Sequence, residues 1–148
     1  LVPDDPNQVT SDHGWDLDKN AAFLREVCAE LKAVGIRVSL FVDYDCPNIA
    51  LAKELGADRV ELYTEPYAET YGTPQNDAIL AQFGQAAMAA QAAGLGVNAG
   101  HDLNLDNLAK FIALPNILEV SIGHALIVEC LEQGMDATMR GYTEILNK

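Results

Sequence analysis

Three short runs of this sequence carry residues that could do chemistry. In Val97-Asn98-Ala99-Gly100-His101-Asp102 an apolar strand runs straight into Gly, His and Asp. Imidazole is the side chain whose ordinary pKa lies nearest neutrality, so His101 is the candidate for proton transfer. The competing reading is a histidine bonded to backbone in a polar turn. In Leu118-Glu119-Val120-Ser121-Ile122-Gly123 a second strand passes directly into His124. A glycine there lets a ligand approach the backbone, and the N–H groups that open the following helix carry partial positive charge. Gly123 and His124 therefore read as an anion site, against the alternative of a tight turn with His124 as a cap. The third run is Arg59 to Thr64 (RVELYT), with a carboxylate in its middle. Alternation along a strand puts Val60, Leu62 and Thr64 on one face and Arg59, Glu61 and Tyr63 on the other. If helices cover the first face, the second lines an interior, and Glu61 becomes a buried acid with a displaced pKa.

The elements that must position these residues alternate. Apolar spacing predicts a helix over 18–34 closed by Gly35, a strand over 36–42, and a short helix over 47–55 closed by Gly56. A strand over 59–64 follows, then a loop over 65–76 with the composition of a lid or binding loop. An Ala-rich helix over 77–93, a strand over 95–100, a helix over 105–114, a strand over 118–123 and a closing helix over 135–146 complete the series. Strands alternating with helices imply a parallel sheet with right-handed crossovers. Two architectures fit: an open doubly wound sheet, or part of an eight-stranded barrel. Polar groups at every strand end, with glycine–histidine pairs after the last two strands, favour the barrel, whose phosphate sites are commonly built after strands seven and eight.

Composition narrows the function classes. The chain has 148 residues, room for one domain with a substantial core, and a net charge of −13. That charge opposes nucleic acid and anionic membranes as partners, so a phosphorylated ligand must be received by local donors. Three separated cysteines, Cys28, Cys46 and Cys130, form no CxxC pair and read as buried thiols in a reducing cytoplasm, with no metal site expected. Asp43 and Asp45, after the first strand, could bind a cation but read better as loop and cap residues. His13 and Trp15 read as residues that cover the first loop. No stretch has the length and apolarity of a membrane span or a signal peptide. The opening Leu1-Val2-Pro3 reads as the end of a buried strand.

The runs VSLFVD, GADRVELYT, LGVNAGHDLN and VSIGHALI resemble the second half of the pyridoxine 5′-phosphate synthase family, in order and over the whole chain. NAGHDLN and SIGHALI together are the specific part of the likeness. The resemblance implies a (β/α)8 TIM barrel, of which this chain is the C-terminal part, strands five to eight with their helices, as a single domain over 1–148. It implies condensation and ring closure of 3-amino-2-oxopropyl phosphate with 1-deoxy-D-xylulose 5-phosphate, giving pyridoxine 5′-phosphate, phosphate and water. It also implies a cytoplasmic homo-oligomer, an octamer in the intact family, with no metal and no cofactor. By the same likeness His101 matches the proton donor and Glu61 the glutamate that stabilises a transition state or intermediate. Thr10 matches a threonine on the deoxyxylulose phosphate, and Asp102, Gly123 and His124 fall where the aminooxopropyl phosphate binds. Some members have Gly at the place of Asp102, which leaves a backbone contact as the role carried over.

The family's N-terminal catalytic His and Glu and its arginines have no counterpart in this sequence, so the chain alone is expected to be inactive. Two other readings remain at this stage: another phosphate-binding barrel enzyme of the sugar-phosphate isomerase type, and a non-catalytic half-barrel that pairs with itself or a partner.

Overall fold

A computed structural model describes residues 1–147. Four short strands, β1 (Ser39–Val42), β2 (Arg59–Tyr63), β3 (Gly96–Gly100) and β4 (Ile117–Ser121), lie side by side in sequence order, every neighbouring pair parallel. Helix α1 (Ala21–Ala33) precedes β1. The crossovers carry α2 (Leu51–Glu54), α3 (Glu65–Thr70) with α4 (Asn76–Ala92), and α5 (Leu108–Phe111). Helices α6 (His124–Gln133) and α7 (Met135–Leu146) follow β4. The architecture is α/β with a four-stranded parallel sheet, compatible with a TIM-type barrel.

The period of two along each strand separates an apolar face from a polar one. Leu40, Val42, Val60, Leu62, Val97 and Ala99 are fully buried, packed with helix residues that include Leu24, Cys28, Ala52, Phe83, Ala87 and Phe111. Leu24 and Cys28 lie one turn apart on α1, and Phe83, Ala87 and Ala90 repeat at helical spacing on α4. Tyr67, Phe83 and Phe111 form an aromatic cluster with ring centroids 5.0 to 6.4 Å apart, and the Tyr67 hydroxyl donates to the Asn107 carbonyl at 2.7 Å. The opposite face carries Phe41, Arg59, Glu61, Tyr63, Asn98 and Ser121. Arg59 bridges Asn98 and Glu119 there, each at 2.8 Å. A register shift between β3 and β4 after Val97 sets Glu119 opposite Asn98.

Several elements depart from the expected bounds. The stretch 65–76 is not a free loop: Pro66 stands in the first turn of α3, where its missing N–H costs nothing, and Tyr67 and Asn76 are buried. The helix expected over 105–114 is reduced to α5. Asn104 Oδ1 accepts the amides of Asp106 and Asn107 at 3.0 and 2.9 Å, which makes a side-chain turn out of the would-be first helical turn. Of the cysteines only Cys28 is fully buried; Cys46 and Cys130 are partly exposed, and all three are free thiols. Burial pushes the Cys28 and Cys46 thiols up.

The first loop is strapped across β1. Phe41 donates to the Leu1 carbonyl at 3.0 Å, and the Leu1 amino group to the Ser39 carbonyl at 2.7 Å, the pattern of a parallel neighbour. The Trp15 indole also donates to the Leu1 carbonyl, at 3.0 Å. Gly14 sits so close to β1 that a Cβ there would strike the backbone of Val42 and Asp43. Its amide donates to Asp43 Oδ1 at 3.0 Å, which gives Asp43 the role of a loop anchor. His13 pairs with Asp12 at the surface.

Candidate active site

The site is assembled where β2, β3 and β4 end. Strand β3 stops at Gly100, and the next two residues have left-handed backbone, φ 94° at His101 and 57° at Asp102. Non-glycine residues held in such regions cost on the order of 1–3 kcal/mol each and persist only where the surroundings fix them. Two buried side chains do so. The Thr64 hydroxyl donates to the His101 carbonyl, and Asn107 Nδ2 donates to the Asp102 carbonyl at 3.0 Å. The turn aims the His101 ring at the polar face, edge-on to Tyr63 and Phe41 with centroids 5.2 and 6.3 Å away. His101 Nε2 lies 3.1 Å from Thr10 Oγ1, so the first loop reaches the ring across 91 residues of sequence.

Glu61 stands on the neighbouring strand, opposite Asn98 in register. Its Oε2 accepts from Ser121 Oγ at 3.3 Å. The carboxylate occupies the space that a side chain at Gly100 would fill, so Gly100 is a requirement of Glu61's position. Burial pushes the Glu61 carboxyl above the usual carboxylate range. The Ser121 hydrogen bond opposes that rise in part, and the charge of Glu119 adds to it. The Tyr63 hydroxyl donates to Glu65, and burial together with that carboxylate holds the phenol protonated.

Strand β4 runs through Ile122 into α6, whose first residue is His124. Gly123 stands at its N-cap with no side-chain hydrogen bond to the helix end. The first amides of a helix lack intrahelical partners and carry the positive end of its dipole. A Cβ at Gly123 would meet nothing within 4 Å, and its φ of −106° is open to any residue. The helix end opens on a cleft of about 660 Å³ lined by Glu61, His101, Asp102, Gly123 and His124, with Ile122, Leu126 and Ile127 as apolar wall.

Five of the six residues singled out in the sequence thus line one cleft, and the sixth, Thr10, touches His101. Sequence reasoning missed Thr64, Ser121 and Asn107. Ser121 was legible in principle, because it alternates with Glu119 on the face shared with Glu61. The Thr64 and Asn107 bonds join positions 37 and 5 residues apart and leave no local signal. Asp43 and Asp45 gather no third ligand. Among the described residues no group of three or more His, Cys, Asp and Glu side chains could hold a metal ion. No helix among them is long and apolar enough to cross a membrane.

A family model described as Pyridoxal phosphate biosynthesis protein PdxJ matches residues 1–148. The chain belongs to this family. Curated relatives agree. A protein named Pyridoxine 5′-phosphate synthase from Xanthomonas oryzae pv. oryzae (strain MAFF 311018) is 58% identical over 147 residues, covering 99% of this chain and 58% of the relative. The protein of the same name from Albidiferax ferrireducens is 56% identical over 143 residues, 96% of this chain and 57% of the relative. That from Xanthomonas campestris pv. campestris (strain B100) is 55% identical over 147 residues. The chain therefore spans somewhat more than half the length of these PdxJ relatives. Membership does not favour the sugar-phosphate isomerase reading.

Proposed function

We propose that this chain is part of a pyridoxine 5′-phosphate synthase, which condenses 3-amino-2-oxopropyl phosphate with 1-deoxy-D-xylulose 5-phosphate and closes the ring to pyridoxine 5′-phosphate, releasing phosphate and water. The observation that carries the reading is the convergence of His101, Glu61 and the open N-terminus of α6 on one cleft, in a chain of the PdxJ family. Imine formation, loss of water and ring closure each move protons on oxygen, nitrogen and carbon. A histidine donor and a carboxylic acid pushed up by burial suit those steps.

In this reading His101 donates a proton at the reacting centre, with Nε2 the nitrogen that faces the first loop. Glu61, whose carboxyl burial pushes above the usual carboxylate range, stabilises charge that develops on the condensing carbon skeleton. The amides after Gly123 and the His124 side chain hold the phosphate of the aminooxopropyl substrate, with the backbone at Asp102 beside them. Thr10 contacts the deoxyxylulose phosphate and releases His101 Nε2 to do so. The reaction needs no metal and no cofactor.

The same reading makes the chain a single domain over 1–148, strands five to eight of a TIM barrel, in a cytoplasmic homo-oligomer. The parallel order of β1 to β4 and the backbone pairing of Leu1 beyond β1 support that placement. The experiment is an assay for pyridoxine 5′-phosphate from the two substrates, using the natural protein that contains this chain. Product formation that depends on His101 and Glu61 is expected.

A further inference from the structure

We propose that Thr64 and Asn107 are positioning residues for His101: together they hold the left-handed turn at His101–Asp102 and so aim the imidazole into the cleft. The inference rests on the reading of His101 given above.

Two consecutive non-glycine residues at positive φ do not hold themselves. His101 and Asp102 stand at φ 94° and 57° directly after β3, where a continued strand or a helix start would be the relaxed outcome. Each residue's carbonyl is taken by a different buried side chain. Thr64 is 0% exposed, its hydroxyl donates to the His101 carbonyl, and its own amide donates to the Gly100 carbonyl at 3.0 Å. One residue at the end of β2 therefore grips β3 on both sides of the point where it turns. Asn107 is 1% exposed and donates from Nδ2 to the Asp102 carbonyl, while its Oδ1 accepts the Asn104 amide at 2.9 Å. Its own carbonyl accepts from the buried Tyr67 hydroxyl, which ties the turn to the aromatic cluster. Buried polar side chains are kept where their hydrogen bonds matter. These two spend theirs on the one strained turn that carries the histidine. Neither is among the residues that line the cleft.

The test uses the natural protein with Thr64→Val, which removes the hydroxyl at nearly constant shape, and Thr64→Ser, which restores it. Thr64→Val is expected to lower kcat by roughly 10–100-fold, the scale of a catalytic group displaced by an ångström, with KM for both phosphorylated substrates little changed. Thr64→Ser is expected to recover most of that loss. In the same samples the His101 ring signals in a histidine-labelled NMR spectrum should shift in Thr64→Val and return in Thr64→Ser. A merely structural role would lower the melting temperature and leave kcat and those signals of the folded protein where they were, and that result would overturn the proposal. If Thr64→Val does not fold, Asn107→Asp, which turns the donor facing the Asp102 carbonyl into an acceptor, reads the other grip by the same two measurements and the same criteria. An unaltered protein that makes no pyridoxine 5′-phosphate would sink the functional reading alone, because the ring signals report the turn without turnover.

Discussion

At the scale of single residues, the burial of Glu61 bears on stability and, on the proposed function, on activity. Its carboxyl is raised by burial, so between its ordinary pKa and the raised one the folded state holds more protons than the unfolded state. Stability then falls as pH rises through that window. Glu61→Gln removes the ionisation while keeping the shape. The variant is expected to melt higher than the parent at neutral pH, with the gain shrinking as pH drops below the carboxylate range; thermal melts across pH 4 to 8 read it. A variant less stable than the parent at neutral pH would show that the carboxylate is better solvated than its burial implies. Gly100 makes a second prediction. A methyl there enters the space of the Glu61 carboxylate, so Gly100→Ala is expected to cost turnover about as much as Glu61→Gln does while leaving the fold intact by circular dichroism. Parent-like turnover in Gly100→Ala would mean that the carboxylate's exact position does not matter.

At the scale of elements, the junction of β4 and α6 is the proposed phosphate seat. Crystals soaked in phosphate or sulfate should show the anion against the first amides of α6, near Gly123 and His124. Gly123→Val should abolish binding. A Cβ there meets no protein atom within 4 Å, so the added bulk points into open space where a ligand close to the backbone would sit; an unchanged melting temperature checks that the fold accepts the valine. His124→Ala should weaken binding without abolishing it. Anion retained in the Gly123→Val protein would place the seat elsewhere. Much at this scale was legible in the sequence. The alternation of strands and helices, the parallel sheet and the closing helix at Met135–Leu146 followed from apolar period and glycine stops, because those signals are local. The short helix α3 was not, since proline and tyrosines in a polar stretch resemble a loop until Tyr67 is seen buried against Phe111. The shortening of α5 was hidden too, because the Asn104 side-chain turn competes with a helical pattern that the apolar residues alone support. The strained turn at His101 depends on a buried hydroxyl from another strand, which no spacing reveals.

At the scale of the whole molecule, the sheet presents one face under helices and one face open. Large apolar side chains are exposed on and beside β4 and the last two helices, Leu118 at 58%, Ile127 at 60%, Leu131 at 83% and Met135 at 68%. Strand edges and apolar patches of this kind invite pairing with another chain. The 148-residue chain by itself is expected to run as oligomers or aggregates in size-exclusion chromatography with light scattering. A clean monomer would contradict that. It is also expected to form no pyridoxine 5′-phosphate by itself, because it spans only 57–58% of the length of the relatives that carry that name.

On the proposed function, His101 moves protons in the synthesis of pyridoxine 5′-phosphate. The most direct measurement is the rate of pyridoxine 5′-phosphate formation from 1-deoxy-D-xylulose 5-phosphate and 3-amino-2-oxopropyl phosphate by the natural protein and by its His101→Ala variant. Product is expected from the natural protein, with a loss of roughly 10²–10⁴-fold in the variant, the usual contribution of a general acid or base. A natural protein that makes no product, or a His101→Ala variant that makes it at the full rate, would contradict it.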